Sequence, residues 1–371
     1  MINQSLEADR RREVIKRTRS ECRDTAADSL MHLWEEDILP RWNKAIRERR
    51  TRELWWRGIA PRSRGAVWSL AIGNDLGLSE KSYEAALGRA REVEARIKSN
   101  MTNTISLDPR YVAWFNAIDK DVEEHTWRDL RIFQVGGPLH QGLVDVLHAY
   151  SMYRSDIGYI SGCNTIAALL LINLPSPNDA FVALANLLNR PLPLSFYSSD
   201  MAAKTSAYNL LMQILSRKSP ELYNHLISLP YHDADFYLGS VMTALFTTHI
   251  ALDEVARLWD VYVFEGDSLI INAGVAFLLE KEMALLGTRT LEEVKEVLNQ
   301  ELHGSQANKL LVGNGQEDRW MRAVRTSIFT LWGLRICKRG EDRLKIPPRL
   351  EQSMRFMGHV AGNRRDRAMR P

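Results

Sequence analysis

Apolar residues recur at helical spacing along most of this chain. From Tyr111 onward one amphipathic segment follows another. The breaks between them fall at Gly136-Gly137-Pro138, Pro175-Ser176-Pro177, Pro191-Leu192-Pro193, Ser219-Pro220 and Gly266. Runs of Val, Ile and Thr with period-two alternation are scarce, so the pattern predicts no sheet. Upstream, Trp55 and Trp56 precede a turn at Gly58-Ile59-Ala60-Pro61, and a helix then carries Val67, Trp68 and Leu70 inward. Ser79 can cap the next helix, with Tyr83, Ala86 and Leu87 on its inner face. Residues 100–107 are polar and read as a loop. Residues 6–50 read as a charged helical extension, with Leu30, Leu33, Trp34, Ile38 and Leu39 as its apolar stripe and Pro40 as an interruption. The expected fold is all-α, and no internal repeat is present.

Composition narrows the class without naming it. The 371 residues are 45% hydrophobic and 26% charged, a balance that suits a globular chain with a sizeable core. The net charge of +3 does not call for nucleic acid. The most apolar stretch, Ile166 to Leu174, is broken by Asn173 and ends at Pro175, too short to span a bilayer. The N-terminus opens on polar Asn3, Gln4 and Ser5 with no apolar signal region. Cys22, Cys163 and Cys337 lie far apart, which fits a reducing cytosol and argues against zinc. Arg10, Arg11, Arg12, Lys16, Arg17, Arg19 and Arg23 form a basic face. We read it as a solvated helix, because the opposite face lacks the large apolar residues of a membrane-surface helix.

No phosphate-cradling glycine motif, dinucleotide fingerprint or H-E-x-x-H sequence occurs. His232-Asp233-Ala234-Asp235 contains metal-ligand types, but a helix cap after Pro230 explains it without a second ligand cluster. Cys163 could be a nucleophile; a small buried residue at a helix start is the plainer account. Glu123, Glu124 and His125 lie near Asp119 and Asp121, and either acid–base chemistry or a solvated helix face accommodates them. These residues alone describe a helical interaction protein.

Several segments, taken in order, resemble the TBC domain of Rab GTPase-activating proteins. Trp56-Arg57-Gly58-Ile59-Ala60-Pro61, followed by Arg64 and Trp68, resembles the opening W-x-G-I-P-x-x-x-R-x-x-x-W. Ile118-Asp119-Lys120-Asp121 resembles I-x-x-D. Phe133-Gln134 with Gly136-Gly137-Pro138 resembles a subgroup carrying F-Q-x-G-G-P after that motif. Asp156-Ile157-Gly158-Tyr159-Ile160-Ser161-Gly162-Cys163 resembles D-x-G-Y-x-Q-G-M. Arg257-Leu258-Trp259-Asp260 with Glu265-Gly266 resembles R-x-W-D and its following E-G. The resemblance implies a two-lobed helical TBC domain over residues 54–335, after a charged helical extension at 1–53 and before a C-terminal segment at 336–371 with a basic, disordered tail.

The family supplies two catalytic fingers to its GTPase, an arginine in I-x-x-D-x-x-R and a glutamine in Y-x-Q-G. Here neither is present. Counting forward from Asp121 puts Glu124 at the arginine position; counting back from Thr126-Trp127 puts His125 there. Glutamate opposes catalysis beside a phosphoryl group. Histidine, with an ordinary pKa of about 6.5, is only partly cationic at neutral pH and lacks arginine's fork. The glutamine position holds Ser161, whose hydroxyl is too short to orient a water in another protein.

The resemblance therefore implies a regulator of Rab-type GTPases in vesicle traffic whose activating power is weak or absent, or a non-catalytic effector or scaffold. No cofactor or metal of its own is implied; GTP and magnesium would come with the partner. Trp127, Arg128 and Arg131 are the candidate partner-binding residues. Arg64, Trp68, Asp121, Asp156, Gly158, Tyr159, Gly162, Trp259 and Asp260 read as motif scaffold. Within that set, Asp121 reads as a helix-start charge or a partner of Arg64, and Trp259 and Asp260 as core and cap. The expected location is cytoplasmic, with peripheral contact on endomembranes through the partner.

Overall fold

Proline decides where many of these helices begin. The first turn of a helix has no intrahelical acceptor for its N–H groups, so a residue without an N–H loses nothing there. Pro61, Pro109, Pro177, Pro191 and Pro220 each open a helix. Side-chain oxygens satisfy neighbouring N–H groups: Asp108, Ser176, Asp200, Ser219 and Asp233 all accept from the first turn of the helix they precede.

The computed structural model describes residues 28–100, 108–299 and 320–326. The basic face at Arg10 to Arg23, nearly all of the polar loop at 100–107 and the C-terminal segment at 336–371 lie outside the described residues. The chain divides into two compact units, residues 1–70 and 71–371. No strand occurs among the described residues, in agreement with the all-α expectation.

In the first unit a π-helical turn, Leu33–Ile38, leads through Leu39–Arg41 and Trp42–Ala45 to α1 (Arg49–Arg57) and α2 (Pro61–Ile72). Trp34, Trp55 and Trp68 are buried. Trp34 Nε1 donates to the Gly58 carbonyl at 3.0 Å, and Gly58, with φ of 120°, ends α1. Leu70 departs from expectation: it is 47% exposed, because it falls on the outer side of α2 while Val67 and Trp68 face inward.

The second unit begins with α3 (Glu80–Asn100), α4 (Pro109–His125), α5 (His140–Tyr153), α6 (Cys163–Asn173), α7 (Pro177–Leu188) and α8 (Pro191–Tyr197). It continues through α9 (Met201–Lys218), α10 (Pro220–Ser228), α11 (Ala234–Thr243), α12 (Leu252–Glu265), α13 (Asp267–Glu280), α14 (Glu282–Leu285) and α15 (Leu291–Asn299). Helix α5 packs on α3, α4, α6 and α7, and α13 packs on α9, α11 and α12. Every residue of α6 from Cys163 to Leu171 is buried, which explains why that stretch reads as uniformly apolar rather than amphipathic. Tyr83, Ala86 and Leu87 are buried on α3, as the pattern predicts.

Arg190 is almost wholly buried. Its guanidinium donates to the Tyr262 and Val263 carbonyls at 3.3 Å each, supplying donors at the C-terminal turns of α12. Between α11 and α12, Leu245 and Phe246 adopt φ of 47° and 70° although both are fully buried. Side chains rarely tolerate that region, so the packing around them must hold the turn.

His249 follows that turn. Its Nε2 lies 3.2 Å from Ser240 Oγ and its Nδ1 lies 2.7 Å from Thr248 Oγ1. Burial pushes its pKa down to about 4. An unfolded histidine titrates near 6.5, so the unfolded chain binds a proton that the folded chain refuses as pH falls from about 6.5 to about 4. Stability is therefore full above that window and lost through it, by up to about 3 kcal/mol from this group. Urea unfolding at pH 7 and pH 4.5 checks this: a His249→Gln variant is expected to lose less stability between the two pH values than the native chain.

Candidate functional site

Helix α4 starts at the Asp108 cap and runs to His125, with Thr126 as its C-cap. Trp114, Ile118, Asp121 and His125 fall at positions i, i+4, i+7 and i+11 and so share one side of the helix. The segment between α5 and α6 meets this side. It turns at Gly158, with φ of 76°, and again at Gly162, with φ of 99°, before Cys163 begins α6.

The two segments join at Asp121. Tyr159 OH donates to Asp121 Oδ2 at 2.8 Å, and Ser161 Oγ donates to the same oxygen at 2.6 Å. His125 Nδ1 lies 3.0 Å from Oδ1. Thr126 Oγ1 and Asn164 Nδ2 both donate to the Asp121 backbone carbonyl, at 3.0 and 3.2 Å, and Asn164 also donates to Thr126 Oγ1 at 2.9 Å. The Asn164 carbonyl oxygen accepts from Gly162 N at 3.1 Å. Asp121 is only 7% exposed. A carboxylate that far from water is tolerated when hydrogen bonds replace its hydration, and hydroxyl-to-carboxylate bonds are among the stronger ones. Burial, and then the Asp121 charge, push the Tyr159 phenol far above its ordinary pKa, so it remains a donor.

Glu124 and His125 are both exposed; His125 Nδ1 lies against Asp121, and the Glu124 carbonyl accepts from Arg128 Nε at 2.9 Å. Ser161 and His125 thus come together on one carboxylate. Trp127 is half-buried, with φ of 22° and its ring 6.3 Å from that of Phe133. Arg128 and Arg131 are exposed, and Arg131 opens the single turn Arg131–Phe133. Asp156 pairs with Arg154, both bonds being 2.9 Å, and that pairing lowers its pKa. Arg64 is half-exposed and Trp68 is buried in the first unit.

Two of the expected roles change. Asp121 is not a helix-start charge, since it lies near the C-terminal end of α4. Asp260 is not a cap; it and Trp259 are 0% exposed in the middle of α12, so Asp260 is a buried carboxyl within the core, while Trp259 is core as expected. Two other readings hold. Asp233 accepts from Asp235 N at 2.9 Å, a capping bond. Cys163 is 1% exposed and burial pushes its thiol up to about 12, which leaves it unsuited to nucleophilic chemistry at neutral pH. Sequence reasoning missed Thr126 and Asn164. Asn164 sits directly after the glycine and cysteine that open an apolar helix, and a polar residue in that place is the signal that could have found it.

The helical architecture is of the kind found in TBC domains. The Rab-GTPase-TBC domain model matches residues 61–286, and the chain belongs to that family. It is 36% identical over 285 residues to TBC1 domain family member 12 from Rattus norvegicus, covering 76% of this chain and 40% of that protein. It is 32% identical over 281 residues to TBC1 domain family member 14 from Homo sapiens, covering 73% of this chain and 39% of that protein. The chain thus spans well under two thirds of the length of these relatives. Among solved structures it is similar to the Chlamydomonas flagellar RabGAP TBC domain, with a TM-score of 0.56 and 21% identity over 81% of this chain and 94% of that one. It is also similar to the Ypt/Rab-GAP domain of Gyp1p, with a TM-score of 0.55 and 16% identity over 79% of this chain and 98% of that one. These structural likenesses bear on the fold.

Removing the acceptor leaves several donors without a partner. Asp121→Ala is expected to destabilise the fold by roughly 2–4 kcal/mol, whereas Glu124→Ala changes stability by less than about 0.5 kcal/mol. Urea unfolding of the two variants measures the contrast. Similar losses would mean that Asp121 is not the junction.

Proposed function

We propose that this chain regulates Rab-type small GTPases chiefly by binding them in the GTP state, with little or no acceleration of hydrolysis. Family membership supports the partner class. One observation carries the rest: the side chains in the two finger registers, His125 and Ser161, are both engaged with Asp121.

Acceleration of GTP hydrolysis needs a cation on the transferring phosphoryl group and an oriented water, and an arginine finger contributes roughly 10³–10⁵ in rate. His125 carries a short ring and holds one nitrogen on Asp121. Ser161 directs its hydroxyl inward to the same carboxylate. Ser161 is thus not arranged as a donor to a second protein, and His125, though its side chain is 57% exposed, offers a short ring in place of arginine's fork. Recognition does not depend on them, because interface energy concentrates in a few aromatic and arginine anchors. Trp127, Arg128 and Arg131 flank the junction, and the last two are exposed. GTP and magnesium belong to the partner, and membrane contact follows from the partner's own location.

Single-turnover hydrolysis across a panel of Rabs, beside binding to the same Rabs in GTP-like and GDP states, tests this. The expected result is state-dependent binding with hydrolysis near the intrinsic rate. Arg128→Ala with Arg131→Ala is expected to weaken binding without unfolding the chain. Fast native hydrolysis that is lost in those two variants would instead assign Arg128 or Arg131 as a substitute finger. A second expectation concerns repair. His125→Arg together with Ser161→Gln is expected to raise hydrolysis more than either change alone, and Glu124→Arg with Ser161→Gln to raise it less, because of the two residues His125 is the one that lies against Asp121.

A further inference from the structure

We propose that Trp114 is a positioning residue that holds the 158–162 loop in register with Asp121. The contact is at Gly158. A Cβ placed on that residue would lie 2.1 Å from Trp114 Cε2, 2.2 Å from Cζ2 and 2.5 Å from Nε1. Such distances leave no room for any side chain, so the indole is seated directly on the loop backbone. Gly158 also has φ of 76° and is buried. Its N–H donates to the Arg154 carbonyl at 2.7 Å, which closes the turn from the other side.

Trp114 stands two turns before Asp121 on the same side of α4. The loop is therefore held at two points by one helix. The indole presses on Gly158, and the carboxylate takes the hydroxyls of Tyr159 and Ser161. Tyr111 braces the ring from one turn further back, edge-on at 5.3 Å between centroids. Trp114 is half-exposed, so this contact is not part of the deep core. Removing the indole frees the loop at its first point, and the bonds from Tyr159 and Ser161 must then order the loop alone. The consequence for partner binding rests on the Rab reading above: Trp114 would set how the backbone of the 158–162 loop, rather than the Ser161 hydroxyl, is presented to the GTPase.

The test uses the full chain and two independent readouts. Amide hydrogen exchange by mass spectrometry reports the loop directly. Trp114→Ala is expected to speed exchange at residues 158–162 by about tenfold while α6, α12 and α13 keep native protection, and Trp114→Phe is expected to recover much of it. Unchanged loop exchange, or acceleration spread evenly over the second unit, overturns the proposal. If Trp114→Ala does not fold, the steric contact is tested with Gly158→Ala. That change is expected to lower the thermal midpoint more in the native chain than in a Trp114→Phe chain, and equal losses overturn the proposal. Dissociation of a GTP-state Rab, measured on the same variants, is expected to be faster in Trp114→Ala. Local loop exchange without Rab binding by any variant would sustain the positioning role and remove the Rab reading.

Discussion

A buried carboxylate has to find donors, and in this protein that requirement joins two distant parts of the chain. Asp121 is 7% exposed and receives Tyr159 and Ser161 on one oxygen while His125 lies against the other. Its own carbonyl is taken by Thr126 and Asn164. Side chain and backbone of one residue therefore tie the end of α4 to the start of α6. Much else supports that tie. The Gly158 and Gly162 turns bring the donors to it, and Gly162 passes Ala244 so closely that a Cβ would sit 3.2 Å from the alanine methyl. Thr165 and Thr247 meet at 2.7 Å just beyond, next to the turn at Leu245 and Phe246.

Under the proposed function, the same tie separates two properties that a GTPase activator normally combines. A surface can recognise a GTPase through its backbone shape and a few anchors, whereas acceleration depends on two side chains that reach out of it. Here His125 and Ser161 both lie against Asp121, a carboxylate of their own chain. Under that proposal, loss of catalysis is a local chemical change within a retained family scaffold. Fold alone would not license that distinction; it comes from the residues at the junction.

How much of this was legible in the sequence depended on whether the cause was local. Helix starts were readable because proline and the small polar caps act within one turn, as at Pro177 after Ser176 and Pro220 after Ser219. The motif order located the segments that meet at Asp121. The extra residue before Thr126 was visible, but which of Glu124 and His125 lies against Asp121 needed the helix phase at the end of α4. Leu70 was read as inward and is outward, since one residue of phase decides the side of a helix. Asp260 read as a cap because charge is ordinarily found at helix ends, and burial in mid-helix leaves no trace in spacing. The seat of Trp114 on Gly158 joins residues far apart in sequence, and composition carries no sign of it.

A hydroxyl held by a buried carboxylate is energetically coupled to it, so a double-mutant cycle on Asp121 and Ser161 is the most direct measurement. Unfolding free energies of the native chain, Asp121→Ala, Ser161→Ala and the double variant would be measured in urea at neutral pH. If Ser161 directs its hydroxyl to Asp121 in solution, the two changes are coupled by more than about 1 kcal/mol, because the second removes a group the first has already stranded. Additivity within about 0.5 kcal/mol would contradict the account, since it would mean that Ser161 is free to face a partner.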